Sequence, residues 1–273
     1  MKIPVAKYHG CGNDFVIARY QDVKDIDLGE LAIKACDRHT GIGADGLIIV
    51  QEDPLEMIFY NQDGSRAPMC GNGIRCFSAY CTDEKIVEKD KFTVRTLAGN
   101  QEVEIIDHQP FFVRIDMGTA KDDLNLIGIQ QPIWGKEIPL SPQEKIKIYS
   151  LFMGTIHTVV FVEQQSIDME RIGKMICEHP CFQYQTNVNF VTILNENEMR
   201  MRTYERGCGM TLACGTGACA SLVCANRLNK MGNHAKVLLP KGELLLSIET
   251  NGHVMMSGPA IRIMKGEYEY EGN

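Results

Sequence analysis

Aromatic side chains are scarce in this chain. Its 273 residues include one tryptophan, and Phe, Trp and Tyr together make up 7%. Trp134 is read as ordinary core filling. A surface that binds nucleic acid carries a basic surplus, often interleaved with stacking aromatics. Here 35 acidic side chains outnumber 28 basic ones and the formal net charge is -7, so no nucleic-acid partner is expected. No apolar run approaches the roughly 18 residues of a membrane span. Met1-Lys2-Ile3-Pro4 leads into mixed polar sequence without the apolar stretch and small-residue cleavage site of an export signal. A cytoplasmic chain with no membrane partner is expected. Eleven cysteines are present, but no Cys-x-x-Cys pair. Cys177-Glu178-His179-Pro180-Cys181 lacks a second half at zinc-finger spacing. No metal is expected, and Cys76, Cys81, Cys208, Cys219 and Cys224 are read as small packing residues.

No Walker-type phosphate loop occurs. Gly41-Ile42-Gly43-Ala44-Asp45-Gly46 fits G-x-G-x-x-G, but a helix is predicted before it and a strand after it. That is the reverse of the dinucleotide-binding context.

With 44% hydrophobic and 23% charged residues, the composition is that of a globular protein. The length suits two domains of roughly 100–150 residues. Gly and Pro punctuate short β-type runs: 47–50, 92–97, 111–117, 158–162, 189–194, 236–239 and 244–248. Asp27 and Asp168 are predicted helix caps, the latter with Ile172, Met175 and Ile176 on one face. Ser141-Pro142-Gln143-Glu144 has the form of a capping box with proline at the first helical position. The segment 218–225 is apolar nearly all round, so a helix there must be buried. Each half of the chain has the same order: a capped helix, two strands, a Cys-Gly-x-Gly turn, a second helix and further strands. The expected fold is therefore α+β with two pseudo-symmetric domains, each a curved, mostly antiparallel sheet wrapped around a central helix. The halves are 1–117 and 118–260, and the strand-rich tail 261–273 is expected to rejoin the first.

The repeated turn carries the chemistry. Cys70-Gly71-Asn72-Gly73 and Cys214-Gly215-Thr216-Gly217 stand 144 residues apart, and Asn61 and Glu205 each lie nine residues before their cysteine. A thiol titrates near ~8.5, and a helix N-terminus lowers that value. The glycines allow bare N–H groups to face an anion, such as a substrate carboxylate. Two thiols facing one carbon from opposite sides would supply a proton acceptor and a proton donor, sufficient to invert a stereocentre without a cofactor. Inherited architecture without chemistry would leave the same two turns, and spacing alone does not separate the two readings. His157 alone is more often a core histidine than an acid–base group. Asn13-Asp14 alone reads as a plain turn.

Further blocks accompany the turns: 9–15 (HGCGNDF), 38–46 (RHTGIGADG), 61–65 (NQDGS), 186–190 (TNVNF) and 204–207 (YERG). Together with the two cysteine turns they resemble the diaminopimelate epimerase family of pyridoxal-independent amino-acid epimerases, over nearly the whole chain. The resemblance implies Cys70 and Cys214 as the catalytic pair, on opposite faces of the substrate carbon in a cleft between two domains. It implies a substrate site formed by Asn13, Asn61, Gly71, Asn72, Asn187, Glu205, Arg206, Gly215 and Thr216, with His157 and Glu205 assisting proton transfer. It implies no cofactor, and an amino-acid substrate interconverted between LL- and meso-2,6-diaminopimelate for lysine and cell-wall precursor synthesis. A homodimer is compatible with the chain, whose oligomeric state the sequence does not give. One block departs. The family has Gly-Asn-Pro-His where this chain has Gly154-Thr155-Ile156-His157, and the asparagine of that block contacts substrate. A threonine hydroxyl lacks the donors and acceptors of an amide. Racemisation of a different amino acid on the same scaffold is the competing expectation.

Overall fold

The computed structural model describes residues 1–141, 144–163 and 167–271. These gather into two compact units, Met1–Ile115 with Gly258–Asn273, and Asp116–Ser257.

The first unit opens with β1 (Lys2–Gly10) and β2 (Asn13–Arg19), joined through Cys11 and Gly12, both at positive φ. The short α1 (Tyr20–Val23) and then α2 (Leu28–Cys36) follow. The Asp27 side chain caps α2 by accepting the Glu30 N–H at 2.9 Å, which satisfies one of the orphan donors of the first turn. Next come β3 (Gly46–Gln51), β4 (Glu56–Asn61), β5 (Arg66–Ala67), α3 (Gly71–Asp83), β6 (Lys91–Thr96), β7 (Gly99–His108) and β8 (Phe111–Thr119). The chain's last strand in this numbering, β18 (Ile261–Glu269), pairs with β1. The ladder runs β18-β1-β2-β3-β4-β6-β7-β8, with β5 on β4. The pairs β2–β3 and β4–β6 are parallel and the rest antiparallel.

The second unit repeats this plan. It holds α4 (Leu124–Ile127), β9 (Trp134–Pro139), β10 (Lys145–Met153), β11 (Thr155–Phe161), α5 (Met169–Cys177), β12 (Asn187–Asn195) and β13 (Glu198–Glu205). Then follow β14 (Gly209–Thr211), α6 (Gly215–Arg227), β15 (His234–Leu239), β16 (Gly242–Ile248) and β17 (His253–Pro259). Its ladder runs β9-β10-β11-β12-β13-β15-β16-β17, with β14 on β13, and its parallel pairs are β11–β12 and β13–β15. Strand for strand, including which pairs are parallel, the two ladders are the same.

Each sheet is covered on both faces at its parallel pair. That is why Leu47, Ile48, Ile49 and Val50, and Val159 and Val160, are all buried without alternation. One cover is the central helix: α3 packs on β1, β2, β3 and β18, and α6 on β10, β11, β12, β15 and β16. In α6 the residues from Gly217 to Ala225 are all buried. The other cover is the capped helix. Leu31, Ala32 and Ala35 of α2 join Val16, Ala18, Leu47 and Ile49 in one cluster. Ile172 and Ile176 of α5 join Val160, Val188 and Phe190 in another. Each Leu, Ile, Val or Phe among them contributes about 1.5–3 kcal/mol by leaving water. The fold is thus the expected α+β repeat.

Several local expectations fail. The capping-box signature at 141–144 starts no helix, because Lys145 enters β10. The Ser141 hydroxyl does accept the Glu144 N–H at 3.1 Å, as a capping serine would. Ser141 also exchanges backbone bonds with Glu144, and the Leu140 N–H donates to the Glu144 carbonyl, between β9 and β10. Pro142 and Gln143 lie outside the described residues. Trp134 is 40% exposed, packed edge-on against Tyr149 with Arg227 over its ring. Met175 is exposed, its sulfur 3.3 Å from Arg171 Nη1. Cys208 is exposed, while Cys76, Cys81, Cys219 and Cys224 are buried. No helix among the described residues is long and apolar enough to cross a membrane.

Candidate active site

In the first unit, Cys70 is the N-cap residue of α3, extended at φ -133° and ψ 122°, and its carbonyl accepts the Ile74 N–H at 2.8 Å. The Cys70 Sγ lies 3.7 Å from Asn13 Oδ1, which also accepts from Asn72 Nδ2 at 3.0 Å. Asn13 Nδ2 donates to Asp45 Oδ2 at 2.6 Å, so the amide of Asn13 has its oxygen facing the thiol turn. Behind it lies an ion network. Arg38 bridges Asp14 and Asp45 at 2.8 Å each, and Lys7 reaches Asp14 at 2.9 Å. Burial alone would raise the Asp14 carboxyl, but the Arg38 and Lys7 bonds outweigh it and hold the group below the usual carboxylate range.

Beneath the turn sits Arg75, fully buried. Its guanidinium donates to Asn72 Oδ1 at 2.8 Å, Gly71 O at 3.1 Å and Pro259 O at 3.3 Å. It ties both residues that follow the thiol to the returning β17–β18 segment. Asn61 ends β4 opposite Gly46, and its amide turns to Ser65 Oγ at 3.0 Å.

The second unit presents the matching turn. Cys214 is the N-cap residue of α6 at φ -131° and ψ 106°, with Thr216 Oγ1 3.6 Å from its sulfur. Glu205, at the end of β13, accepts from Thr211 Oγ1 at 2.6 Å. Asn187 Oδ1 accepts the Arg206 N–H at 2.9 Å, and the Arg206 guanidinium donates to Tyr184 O at 2.6 Å. Asn187, Glu205 and Arg206 therefore meet at one corner, where β12 faces β13. Thr155 begins β11 just after Gly154, where an added Cβ would meet Thr216 Cγ2 at 3.3 Å.

The helix N-terminus was expected to lower this thiol. The Cys214 thiol is instead raised well above its ordinary value, first by burial and then by the charge of Glu205, which outweigh the Thr216 and Gly217 hydrogen bonds that act the other way. Both effects keep the proton on the Cys214 sulfur.

His157 is buried completely, with Nδ1 3.2 Å from Asn189 Nδ2. Burial pushes its ring down to about 3, so it is neutral throughout the neutral range. An unfolded chain binds a proton there near ~6.5. The fold thus loses stability as pH falls from about 6.5 towards 3. Replacing the ring by a non-titrating side chain, His157→Gln, is expected to flatten that part of the stability–pH curve. Urea midpoints measured between pH 4 and pH 7 check this: an unchanged slope would show that the folded ring takes up its proton freely.

Arg75, Asp45, Asn189 and Thr203 escaped the sequence reading. For Arg75 a signal existed, a lone arginine inside Ile74-Arg75-Cys76-Phe77 on a helix with no wet face. Among the described residues, no group of three His, Cys, Asp or Glu side chains is placed to hold a metal ion.

The chain is similar to known proteins. A family described as diaminopimelate epimerase matches residues 5–122 and 149–263. The chain is 41% identical to a diaminopimelate epimerase of Alkaliphilus metalliredigens, over 98% of each chain. It is also 41% identical to a diaminopimelate epimerase of Desulfitobacterium hafniense, over 96% of each. Among solved structures, a hydroxyproline epimerase from Agrobacterium vitis has the same fold, with a TM-score of 0.70 at 13% identity over 98% of this chain and 92% of that one. So does a PhzF-family phenazine biosynthesis protein of Bacillus anthracis, with a TM-score of 0.71 at 13% identity over 99% and 100%.

Proposed function

Because the chain belongs to the diaminopimelate epimerase family, we propose that it interconverts LL- and meso-2,6-diaminopimelate by two-thiol proton transfer at one α-carbon, without a cofactor. The product serves lysine and cell-wall precursor synthesis. One observation carries the mechanism: Cys70 and Cys214 are each the N-cap residue of a 13-residue helix at the same place in a repeated unit.

In one direction Cys70, as thiolate, removes the α-proton and Cys214, as thiol, delivers its own proton from the other side. The reverse direction exchanges the roles. The state of Cys214 supports the donor role, since burial and Glu205 keep its proton on. After transfer the Cys214 thiolate is held by the Thr216 hydroxyl and the Gly217 N–H, the two bonds that favour its charged form. The substrate carboxylate sits on the N–H groups of Gly71, Asn72, Gly215 and Thr216, where helix N-termini favour an anion and stabilise the charge that develops on deprotonation. Asn13, Asn61, Asn187, Glu205 and Arg206 bind the remaining polar groups of the amino acid.

Incubation with a panel of amino acids in heavy water tests the substrate. Diaminopimelate is expected to take up deuterium at one α-carbon as its stereoisomers interconvert. Thr155 favours one competing outcome, since it lacks the family's amide at that position. Exchange into another amino acid with none into diaminopimelate would replace the named substrate.

A further inference from the structure

The shared ladder lets the halves be matched residue by residue. Phe15 on β2 stands opposite Gly46 on β3, and His157 on β11 opposite Asn187 on β12. Two residues on, Ile48 faces Phe59 across β3–β4, and Asn189 faces Thr203 across β12–β13. Phe15, Ile48 and Phe59 thus occupy in one unit the places of His157, Asn189 and Thr203 in the other. The second glycine of each turn confirms the match. An added Cβ on Gly73 would meet Ile48 at 3.3 Å and Phe15 at 3.7 Å, whereas one on Gly217 would run into Asn189 Oδ1, and Cys214 Sγ at 3.3 Å.

The backing of the Cys70 turn is therefore hydrocarbon, with Phe15 and Phe59 packed edge to face at 5.8 Å. The backing of the Cys214 turn is polar, although His157, Asn189 and Thr203 are as buried as their counterparts. Burying polar groups is costly unless they are bonded, and apolar groups of similar shape serve as well or better for stability. This fold shows the apolar solution working in its other half, so stability does not account for the polar one.

The bonds define a single arrangement. The Thr203 hydroxyl donates to Asn189 Oδ1 at 3.1 Å. At its other end, Asn189 Nδ2 faces the Thr158 carbonyl at 3.3 Å and His157 Nδ1 at 3.2 Å. A carbonyl can only accept, which places the amide nitrogen on this side. An amide nitrogen has no lone pair to offer, so His157 Nδ1 must accept and the ring proton must reside on Nε2. That Nε2 is buried and without a hydrogen-bond partner among the described residues.

We propose that Asn189 is a positioning residue of the Cys214 face: held by Thr203 and the Thr158 carbonyl, it fixes His157 as the neutral Nε2–H tautomer and supports the turn that carries the thiol. Its kinetic consequence rests on the two-thiol reading above, whereas the tautomer does not. The neutral state of the buried ring agrees with it.

The test is two-bond nitrogen–proton correlation on the whole protein labelled with ¹⁵N-histidine, with His157 assigned through the backbone. Nε2 is expected to be the protonated nitrogen and Nδ1 the bare one. A protonated Nδ1 in the unsubstituted protein would overturn the proposal, and that measurement requires no variant. Asn189→Asp offers only acceptors, so Nδ1 should take the proton and the pattern should reverse. Its kcat should fall about 10- to 100-fold, the scale of a misplaced reacting group, with KM within about twofold of the unsubstituted enzyme. The same-shaped Thr203→Val should lower kcat in the same sense without changing KM. A folded Asn189→Asp protein with unreduced kcat would also overturn the proposal. If the unsubstituted protein shows the Nε2–H form but exchanges no α-proton, the two-thiol reading fails and the tautomer assignment stands.

Discussion

Alanine at either Cys70 or Cys214 is expected to lower stereoisomer interconversion by about 10²–10⁴-fold, the span over which a positioned acid or base acts. Each substitution should leave one face working. The remaining thiol can still remove a proton and return a deuteron from its own side, so one stereoisomer exchanges its α-hydrogen without inverting. Proton NMR in heavy water follows exchange, and chiral chromatography follows inversion. The two variants should favour opposite stereoisomers. Neither should unfold, because each cysteine contributes its backbone carbonyl to the helix start, and alanine keeps that bond. Inversion by either variant at the unsubstituted rate would remove that thiol from the mechanism.

Gly217→Ala is expected to be the most damaging conservative change in the site. The new Cβ would come well under 3.0 Å from Asn189 Oδ1, closer than real Cβ atoms approach. Asn189 cannot swing aside cheaply, being bonded to Thr203, Thr158 and His157. Either the buried amide breaks those bonds or the turn lifts, so about 2–4 kcal/mol of stability should be lost. At about 2–4 °C per kcal/mol for a chain of this size, thermal unfolding should begin some 5–15 °C lower. Activity should fall by at least about 10²-fold as the thiol moves with its turn. Gly73→Ala supplies the contrast. There the nearest atoms are Cys70 Cβ at 3.2 Å and the end of Ile48 at 3.3 Å, and a flexible aliphatic tip can give way. It should cost about 1 kcal/mol. Equal melting curves for the two variants would contradict this difference.

The repeat was legible because its signals are local. Asp27 and Asp168 cap helices where a short acceptor precedes an apolar face. The Cys-Gly-x-Gly turns start helices, and α6 had to be internal because it has no polar side. The G-x-G-x-x-G run of 41–46 does lie between α2 and β3, in the order that argues against a nucleotide. What escaped depends on partners distant in sequence. Ser141 makes the bond of a helix cap, but pairing of β10 with β9 and β11 decides the outcome. The thiol pKa of Cys214 was expected from the helix end alone, whereas burial and Glu205 dominate it. Arg75 could be noticed but not placed, since its acceptor Pro259 arrives 184 residues later. Asn189 and Thr203 sit at ordinary strand positions, and only the register between β12 and β13 shows that they back a cysteine.

The pairing of β1 with β18 has a bearing on biogenesis. The first unit closes only when Ile261–Glu269 returns to Lys2–Gly10, after all of Asp116–Ser257 has been translated. At about 5–20 residues per second, a nascent β1 spends tens of seconds with a bare hydrogen-bonding edge outside the ribosome. The inserted half, contiguous in sequence, can finish folding first. A chain stopped after Ser257 but before β18 would therefore strand the Cys70 half, not the Cys214 half, as the species that chaperones must hold.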